Sequence, residues 1–521
     1  MEEIIIDTEH KKKPVLKLII IFVLILVIAF IFFIVLKPKP NESNVSANLE
    51  NTEPPIGNTN PDLNNSNDEN NKVNWPSTTE KNSSAATSGS SETEKSKDKE
   101  SGGGGGGSGK SGESDTNLNP VIIETTCNTG TGTINDPKVI CTAQELSDIR
   151  NNLNLNYILG ADIDLEEFNW ASIGTQENQF TGSLNGNGYK IKNQSTETLF
   201  DYANNAVFNN VDLVNINLNN TEASTAGLVN TISNSQISNC DISGDITGQF
   251  ASGLANNIYF TTIQNSSFTG SISSDSVAGG LVGNSEDSEI NSCNTKINNV
   301  SGKSQVGGLA GNALRTTIRN SYSKGDLENS GDINESNDGC AGGLVGQAID
   351  SSIYFSNSNN NIYGSVGLGG LVGCMGNLYN SYATGNIYST NANILSQYVG
   401  GLAGKSNIIS NSFSIGDISV TGKASKVGGL VGLTEGDIIN SYSTGNINIT
   451  GTKTEIGGLI GYLGLNTVTS SYWDTQNSGL IISAGGVGKT TTQMKQQSTF
   501  VSWDFTEIWN ITESTTYPFL R

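Results

Sequence analysis

Along residues 206–475 the apolar positions fall in short groups parted by Asn, Ser, Gly and Asp, and the same grouping returns every 26 to 35 residues. The group G-G-L-V-G, or a near variant, places its second glycine at Gly280, Gly308, Gly343, Gly370, Gly401, Gly429 and Gly458, with weaker copies at Gly227 and Gly253. A second group ends in N-S-Y, at Asn320 to Tyr322, Asn380 to Tyr382 and Asn440 to Tyr442, with Phe413 and Tyr472 in its variants. A third reads Gly325-Asp326-Leu327, Gly385-Asn386-Ile387, Gly416-Asp417-Ile418 and Gly445-Asn446-Ile447. Three strands of about five residues with three turns fill such a period, and no gap is long enough for a helix. Each period therefore predicts one coil of a solenoid.

A single coil cannot bury its own inward face, but coils stacked about 4.8 Å apart share backbone hydrogen bonds and bring equivalent side chains into columns. The predicted core column is Leu228, Leu254, Leu281, Leu309, Leu344, Leu371, Leu402, Leu430 and Leu459. Glycines beside each leucine are expected at corners that need a positive φ. Tyr322, Tyr382, Phe413, Tyr442 and Tyr472 predict an aromatic ladder. Large rings are mostly wall or core residues, so packing is the favoured role, although stacked rings are also what a sugar-binding face offers. A leucine-rich repeat would need L-x-x-L-x-L-x-x-N and a helical return, and a propeller would need blades of about 40 residues. The fold class is all-β, a parallel β-helix.

The ends read as caps. Thr142-Ala143-Gln144-Glu145 is a capping box, and the spacing of Leu146, Ile149 and Leu153 predicts an amphipathic helix over 143–153 that covers the first coil. Trp503, Phe505, Trp509, Tyr517 and Phe519 crowd the last twenty residues, as a lid over the final coil requires. The predicted layout is an N-terminal cap with the first coils over 121–205, repeats over 206–475 and a C-terminal cap over 476–521.

These motifs resemble the GLUG repeats, named for Gly-Leu-x-Gly, of bacterial and archaeal surface proteins. The resemblance spans about 127–521 and includes N-D-P-K-V-I-C-T-A-Q-E-L at 135–146, N-Y-I-L-G-A-D-I-D-L at 156–165, F-T-G-S-L-N-G-N-G-Y-K-I at 180–191, the repeats, and S-Y-W-D-T at 471–475. It implies a right-handed β-helix in proteins associated with adhesion and biofilm surfaces, some of which carry the repeats beside a zinc peptidase.

Upstream the pattern changes. Leu18 to Leu36 is a run of nineteen residues without charge or proline, long enough to cross roughly 30 Å of hydrocarbon. Lys11, Lys12, Lys13 and Lys17 precede it and only Lys37 and Lys39 follow, so residues 1–17 read as a cytoplasmic tail and 18–36 as a signal anchor in the cell membrane. Residues 37–120 are Asn, Ser, Gly, Glu and Lys, a composition that cannot offset its ordering entropy, and read as a disordered stalk. Everything after the anchor is then extracellular. Only 15% of the chain is charged, and residues beyond 40 hold 22 basic against 46 acidic side chains, which excludes nucleic acid as a partner. The expected partners are the lipid bilayer and an extracellular glycan or surface protein.

Two stretches imitate a phosphate-binding loop. G-G-G-G-S-G-K-S at 104–111 fits the pattern but lies in the stalk, where no strand and helix fix the backbone amides around an anion. S-A-G-G-V-G-K-T-T-T-Q-M at 483–494 has Ser483 where the first glycine belongs and reads as a connection into the C-terminal cap. No nucleotide and no cofactor is expected. The one histidine, His10, precedes the anchor, so neither a H-E-x-x-H zinc site nor a Ser-His-Asp triad can form outside the cell. Of six cysteines, Cys127 and Cys141 are a disulfide candidate closing a loop for about 3 kcal/mol, and Cys240, Cys293, Cys340 and Cys374 read as buried small residues. Glu286, Asp287, Glu289 and Asp338 are weak calcium candidates on acidic turns. The expectation is a non-catalytic adhesin or surface-binding module, with a polysaccharide lyase or hydrolase and an inert spacer as the rival readings.

Overall fold

The computed structural model describes residues 126–331, 339–391 and 397–521. The expected tail, anchor and stalk, and Asp338, lie outside the described residues. So do 332–338 and 392–396, which fall inside the two longest periods.

The described chain is a parallel β-solenoid of about eleven windings. One winding runs through Val229–Ser233, Gln236–Ser238 and Asp241–Ser252. Two windings on, the same three strands are Val282–Glu286, Glu289–Asn291 and Asn294–Gly302. Each strand pairs in parallel with its equivalent on the next winding, as Val282 does with Ala310 and Ile290 with Ile318. Trp509–Asn510 against Phe519–Leu520 is the antiparallel exception among the described strands.

The leucine column exists and is dry. Every leucine from Leu228 to Leu459 in the column is 0% exposed. The N–H of Leu281 donates to the carbonyl of Leu309 at 2.9 Å, and Leu344, Leu371 and Leu402 each donate to the next leucine at 2.8 Å. Inward Val282, Ile290, Val345, Ile353 and Ile438 fill the remaining cross-section.

The glycines beside those leucines are required for a reason other than the expected corner. None of Gly280, Gly308, Gly343, Gly370, Gly401, Gly429 or Gly458 has a positive φ. Instead, a Cβ on Gly370 would collide with the carbonyl oxygen of Gly401, and one on Gly401 with that of Gly429. Adjacent windings pass too close there for any side chain. The left-handed corners belong to the asparagine of N-S-Y: Asn320, Asn380, Asn411 and Asn440 have φ of 48–49°. Asparagine enters that region more readily than other side chains with a Cβ, and Asn320 Nδ2 donates across the windings to Asn291 Oδ1 at 3.2 Å.

The serine of N-S-Y forms a second, polar column inside. The backbone N–H of Ser321 donates to Ser356 Oγ, Ser356 to Ser381, Ser381 to Ser412, Ser412 to Ser441 and Ser441 to Ser471, all at 3.1–3.2 Å. Each hydroxyl in turn donates to the carbonyl two residues earlier, so no buried polar atom of the column is left over. Cys240 and Cys293 are free, buried thiols at this same position in earlier windings. Their Sγ atoms sit 3.3 Å from the carbonyls of Ser238 and Asn291, standing in for the serine hydroxyl. Burial pushes both thiols up, Cys293 to about 12, and they are inert as nucleophiles.

At the N-terminal end the capping box forms, with Thr142 accepting from Glu145 N and Glu145 reaching back to Thr142 N. The helix is shorter than expected: Ala143–Ser147 is α-helical and Asp148–Asn151 is a 3₁₀ turn. Asp and Asn favour local turn bonding over helix continuation, while Leu146 and Ile149 still reach the core at 0% exposure.

Gly370→Ala is expected to destabilise the solenoid by about 1–3 kcal/mol or more through overpacking against Gly401. Asn440→Ala is expected to cost about 1–2 kcal/mol, and Asn440→Gly close to nothing. Chemical denaturation midpoints of the three variants test the distinction. A harmless Gly370→Ala would contradict the contact just described.

Candidate functional site

Outward side chains of the windings also line up in columns, and three of these columns are aromatic. The ring of N-S-Y gives the first: Tyr382 stacks on Phe413 at 4.8 Å and Phe413 on Tyr442 at 5.0 Å, with nearly parallel planes. Tyr322 does not join them, because Asn357 stands between it and Tyr382 in the register. Phe413, Tyr442 and Tyr472 are buried beneath Met494, Phe500, Trp503 and Trp509. The C-terminal residues thus run as a strap along the flank of three windings, where a lid over the final coil was expected. Packing is therefore the role of this ladder from Phe413 onward.

The strap is anchored through S-Y-W-D-T. Ser471 ends the serine column, Tyr472 meets Phe500 edge-on at 5.4 Å, and Trp473 Nε1 donates to the carbonyl of Leu480 at 3.0 Å. Asp474 is fully buried and accepts from Tyr517 Oη at 2.7 Å, from Thr491 Oγ1 at 3.0 Å and from two backbone amides. Tyr442 Oη donates to the carbonyl of Pro518.

Two further stacks stay outside the strap. Tyr354 and Tyr379 stack at 4.9 Å, with the Arg319 guanidinium 4.2 Å over the far face of Tyr354. Tyr363 and Tyr388 also stack at 4.9 Å, and Tyr363 is 40% exposed. Sequence reasoning missed both. The available signal was that each pair is spaced 25 residues apart, one winding at that place.

The carboxylates single out one turn. Glu286 closes a strand, Asp287 sits at a left-handed corner, and Arg315 from the next winding donates to both, 2.7 Å to each oxygen of Asp287 and 2.5 Å to Glu286. The guanidinium beside Asp287 holds its carboxyl below the usual range. Glu289 opens the following strand and is half-buried, apart from this ion pair. Among the described residues no three His, Cys, Asp or Glu side chains are grouped to hold a metal ion.

The loop-like stretch at 483–494 is committed to the protein. Gly485 lies against Val468, Ile460 and Leu463, and Gly486 against Leu459, so the flat backbone covers the open end of the core. Val487–Lys489 pairs in parallel with Tyr472–Asp474, and the amides of Ala484, Val487, Thr490 and Thr491 all donate to protein acceptors. Thr490 then caps a one-turn helix, Thr491–Met494. Cys127 and Cys141 are joined as a disulfide with Cα atoms 5.7 Å apart. Cys340 and Cys374 form a second, between neighbouring windings, where two buried thiols were expected. Cys340 is in register with Gly367 on the next winding, and Cys374, on the strand that follows, reaches it over that glycine.

Stacked parallel windings with a dry leucine seam and chemistry confined to outward columns define a repeat β-solenoid. Residues 424–448 match the GLUG motif, and the chain is a GLUG-repeat β-helix protein. Residues 142–244 match the M26 IgA1-specific metallo-endopeptidase N-terminal region. The chain is similar to the zinc metalloprotease ZmpC of Streptococcus pneumoniae, 29% identical over 31% of this chain and 8% of that protein. It is also similar to a Gly-rich membrane protein of Evansella cellulosilytica, 41% identical over 12% of this chain and 8% of that one. Among solved structures, an IgA1 protease aligns at 18% identity and TM-score 0.38 over 47% of this chain and 21% of that chain. A Bacteroides ovatus protein titled as an immunoglobulin A1 protease aligns at 17% and 0.31, over 75% of this chain and 94% of that chain. The chain thus spans under a tenth of the length of the curated relatives it matches.

Burial raises the phenols of Tyr442 and Tyr472 above their ordinary 10.0, and burial with the Asp474 hydrogen bond does the same to Tyr517. A phenol kept neutral in the folded strap contributes fully below pH about 10 and loses that contribution as pH rises further. Alkaline titration is expected to redden the emission of Trp503 and Trp509 above pH about 10 before the β signal in circular dichroism falls. Simultaneous loss of both signals would show that the strap does not open separately.

Proposed function

We propose that this chain is a non-catalytic surface-binding module, an adhesin in the broad sense, held outside the cell by the apolar run 18–36. The observation that carries the reading is the pair of stacks Tyr354–Tyr379 and Tyr363–Tyr388, which face outward while the N-S-Y ladder is spent on packing. Tyrosine supplies large rigid contact area with little entropy to lose, and outward stacks in which Tyr363 is exposed and Tyr354, Tyr379 and Tyr388 are half-buried suit recognition better than stability. The likeness to a Gly-rich membrane protein and to the M26 N-terminal region supports a surface setting. The polysaccharide-enzyme reading needs a pair of free carboxylates, and the foremost pair, Glu286 and Asp287, is tied to Arg315.

Full-length protein in lipid nanodiscs is expected to bind cells or coated matrix saturably while releasing no reducing or unsaturated ends from a polysaccharide panel. Turnover would install the enzyme reading. Neither binding nor turnover would leave an inert spacer.

A further inference from the structure

The third repeat signature and the Tyr363–Tyr388 stack share one face, and together they make a place for a sugar ring. Resting on the surface-binding reading above, we infer that a neutral hexose of an extracellular glycan stacks on the free face of Tyr388.

In register, Tyr363 pairs with Tyr388, Tyr388 with Ser419, and Ser419 with Asn448. One face of Tyr388 is covered by Tyr363 at 4.9 Å, the rings within 11° of parallel. On the other side the next winding offers only a serine. Windings repeat about every 4.8 Å, so the omitted ring leaves a slot one ring thick between Tyr388 and Asn448, floored by Ser419. A pyranose presents an apolar C–H face of that thickness, with hydroxyls around its rim.

The rim of the slot is matched to those hydroxyls. Asp417 and Thr421 flank Ser419 on the same strand side, and both are exposed, as is Asn448. The Asp and Asn of the third signature are fixed in a chain: Asn386 Oδ1 accepts from Asp417 N at 2.9 Å, and Asp417 Oδ1 accepts from Asn446 N at 2.8 Å. That anchoring leaves the second carboxylate oxygen of Asp417 as an oriented acceptor beside the slot. Asn386 Nδ2 also holds Tyr388 Oη at 3.4 Å, which steadies the ring. A carboxylate at the rim and 46 acidic against 22 basic residues beyond position 40 disfavour sialic and uronic acids, hence a neutral ring.

Ser419→Tyr continues the stack by one ring and fills the slot without touching the core, so it folds and blocks. Full-length wild-type protein in nanodiscs is expected to bind at least one of a panel of glucose-, galactose- and N-acetylglucosamine-terminated oligosaccharides by biolayer interferometry. Ser419→Tyr and Tyr388→Ala are each expected to weaken that binding about tenfold or more, and Tyr388→Phe to keep it. Thermal melting of Ser419→Tyr at or above wild type separates blocking from misfolding. Glycan binding unaffected by Ser419→Tyr overturns the slot and leaves the surface-binding reading standing. No binding to any neutral glycan by a protein that still binds cells or matrix also overturns it, and no binding to cells, matrix or glycan overturns both.

Discussion

The structure depends on how closely one winding lies on the next at the G-G-L-V-G seam. Backbone hydrogen bonds from leucine to leucine at 2.8–2.9 Å set the rise of the solenoid, and at that rise the flanking carbonyls occupy the space a Cβ would need. The leucine can then be identical in every winding, because the seam presents the same cross-section each time. Parallel in-register stacking of this kind rewards repetition, as neighbours are the only partners a winding has.

A repetitive interior still has corners, and corners expose backbone polar groups that the core must satisfy. The serine column does this with one hydroxyl per winding, accepting from the winding before and donating two residues back within its own. The left-handed asparagine just before it turns the chain so that the hydroxyl points inward and the following ring points out. N-S-Y is therefore three separate physical solutions in adjacent positions. Cys240 and Cys293 show the tolerance of the middle one: a thiol reaches the same carbonyl, somewhat further away.

Period and polarity made the solenoid, the leucine column and the N-terminal capping box legible in the sequence, since a recurrence of three apolar groups every 26 to 35 residues admits few other folds. The reason for the glycines was not legible, because a conformational need and a steric one leave the same letter; only the φ values and the position of the Gly401 carbonyl separate them. The Cys340–Cys374 disulfide was hidden because its cysteines are not equivalent repeat positions: Cys340 is in register with Gly367 and Cys374 with Gln347, so aligning the periods does not bring them together. The strap was misread as a lid because aromatic composition reports that a surface is covered and says nothing about which. The outward stacks were the hardest to see, lying at positions that the repeat leaves free to vary.

That freedom is where function enters. Interior columns hold their residue types along the solenoid, Leu with Leu and Ser with Ser, whereas the outward column through Tyr363 runs Glu328, Tyr363, Tyr388, Ser419, Asn448. A ring in such a column gains its stacking energy only from a ring on the adjacent winding, so a ladder of two gains one contact and leaves two outer faces without a ring, that of Tyr363 beside Glu328 and that of Tyr388 beside Ser419. For stability alone the ladder would be extended or omitted, as the strap-covered row extends through Phe413 and Tyr442. A ladder cut after two rings and followed by a serine spends apolar area on solvent, and it becomes favourable once a planar apolar face from outside completes it.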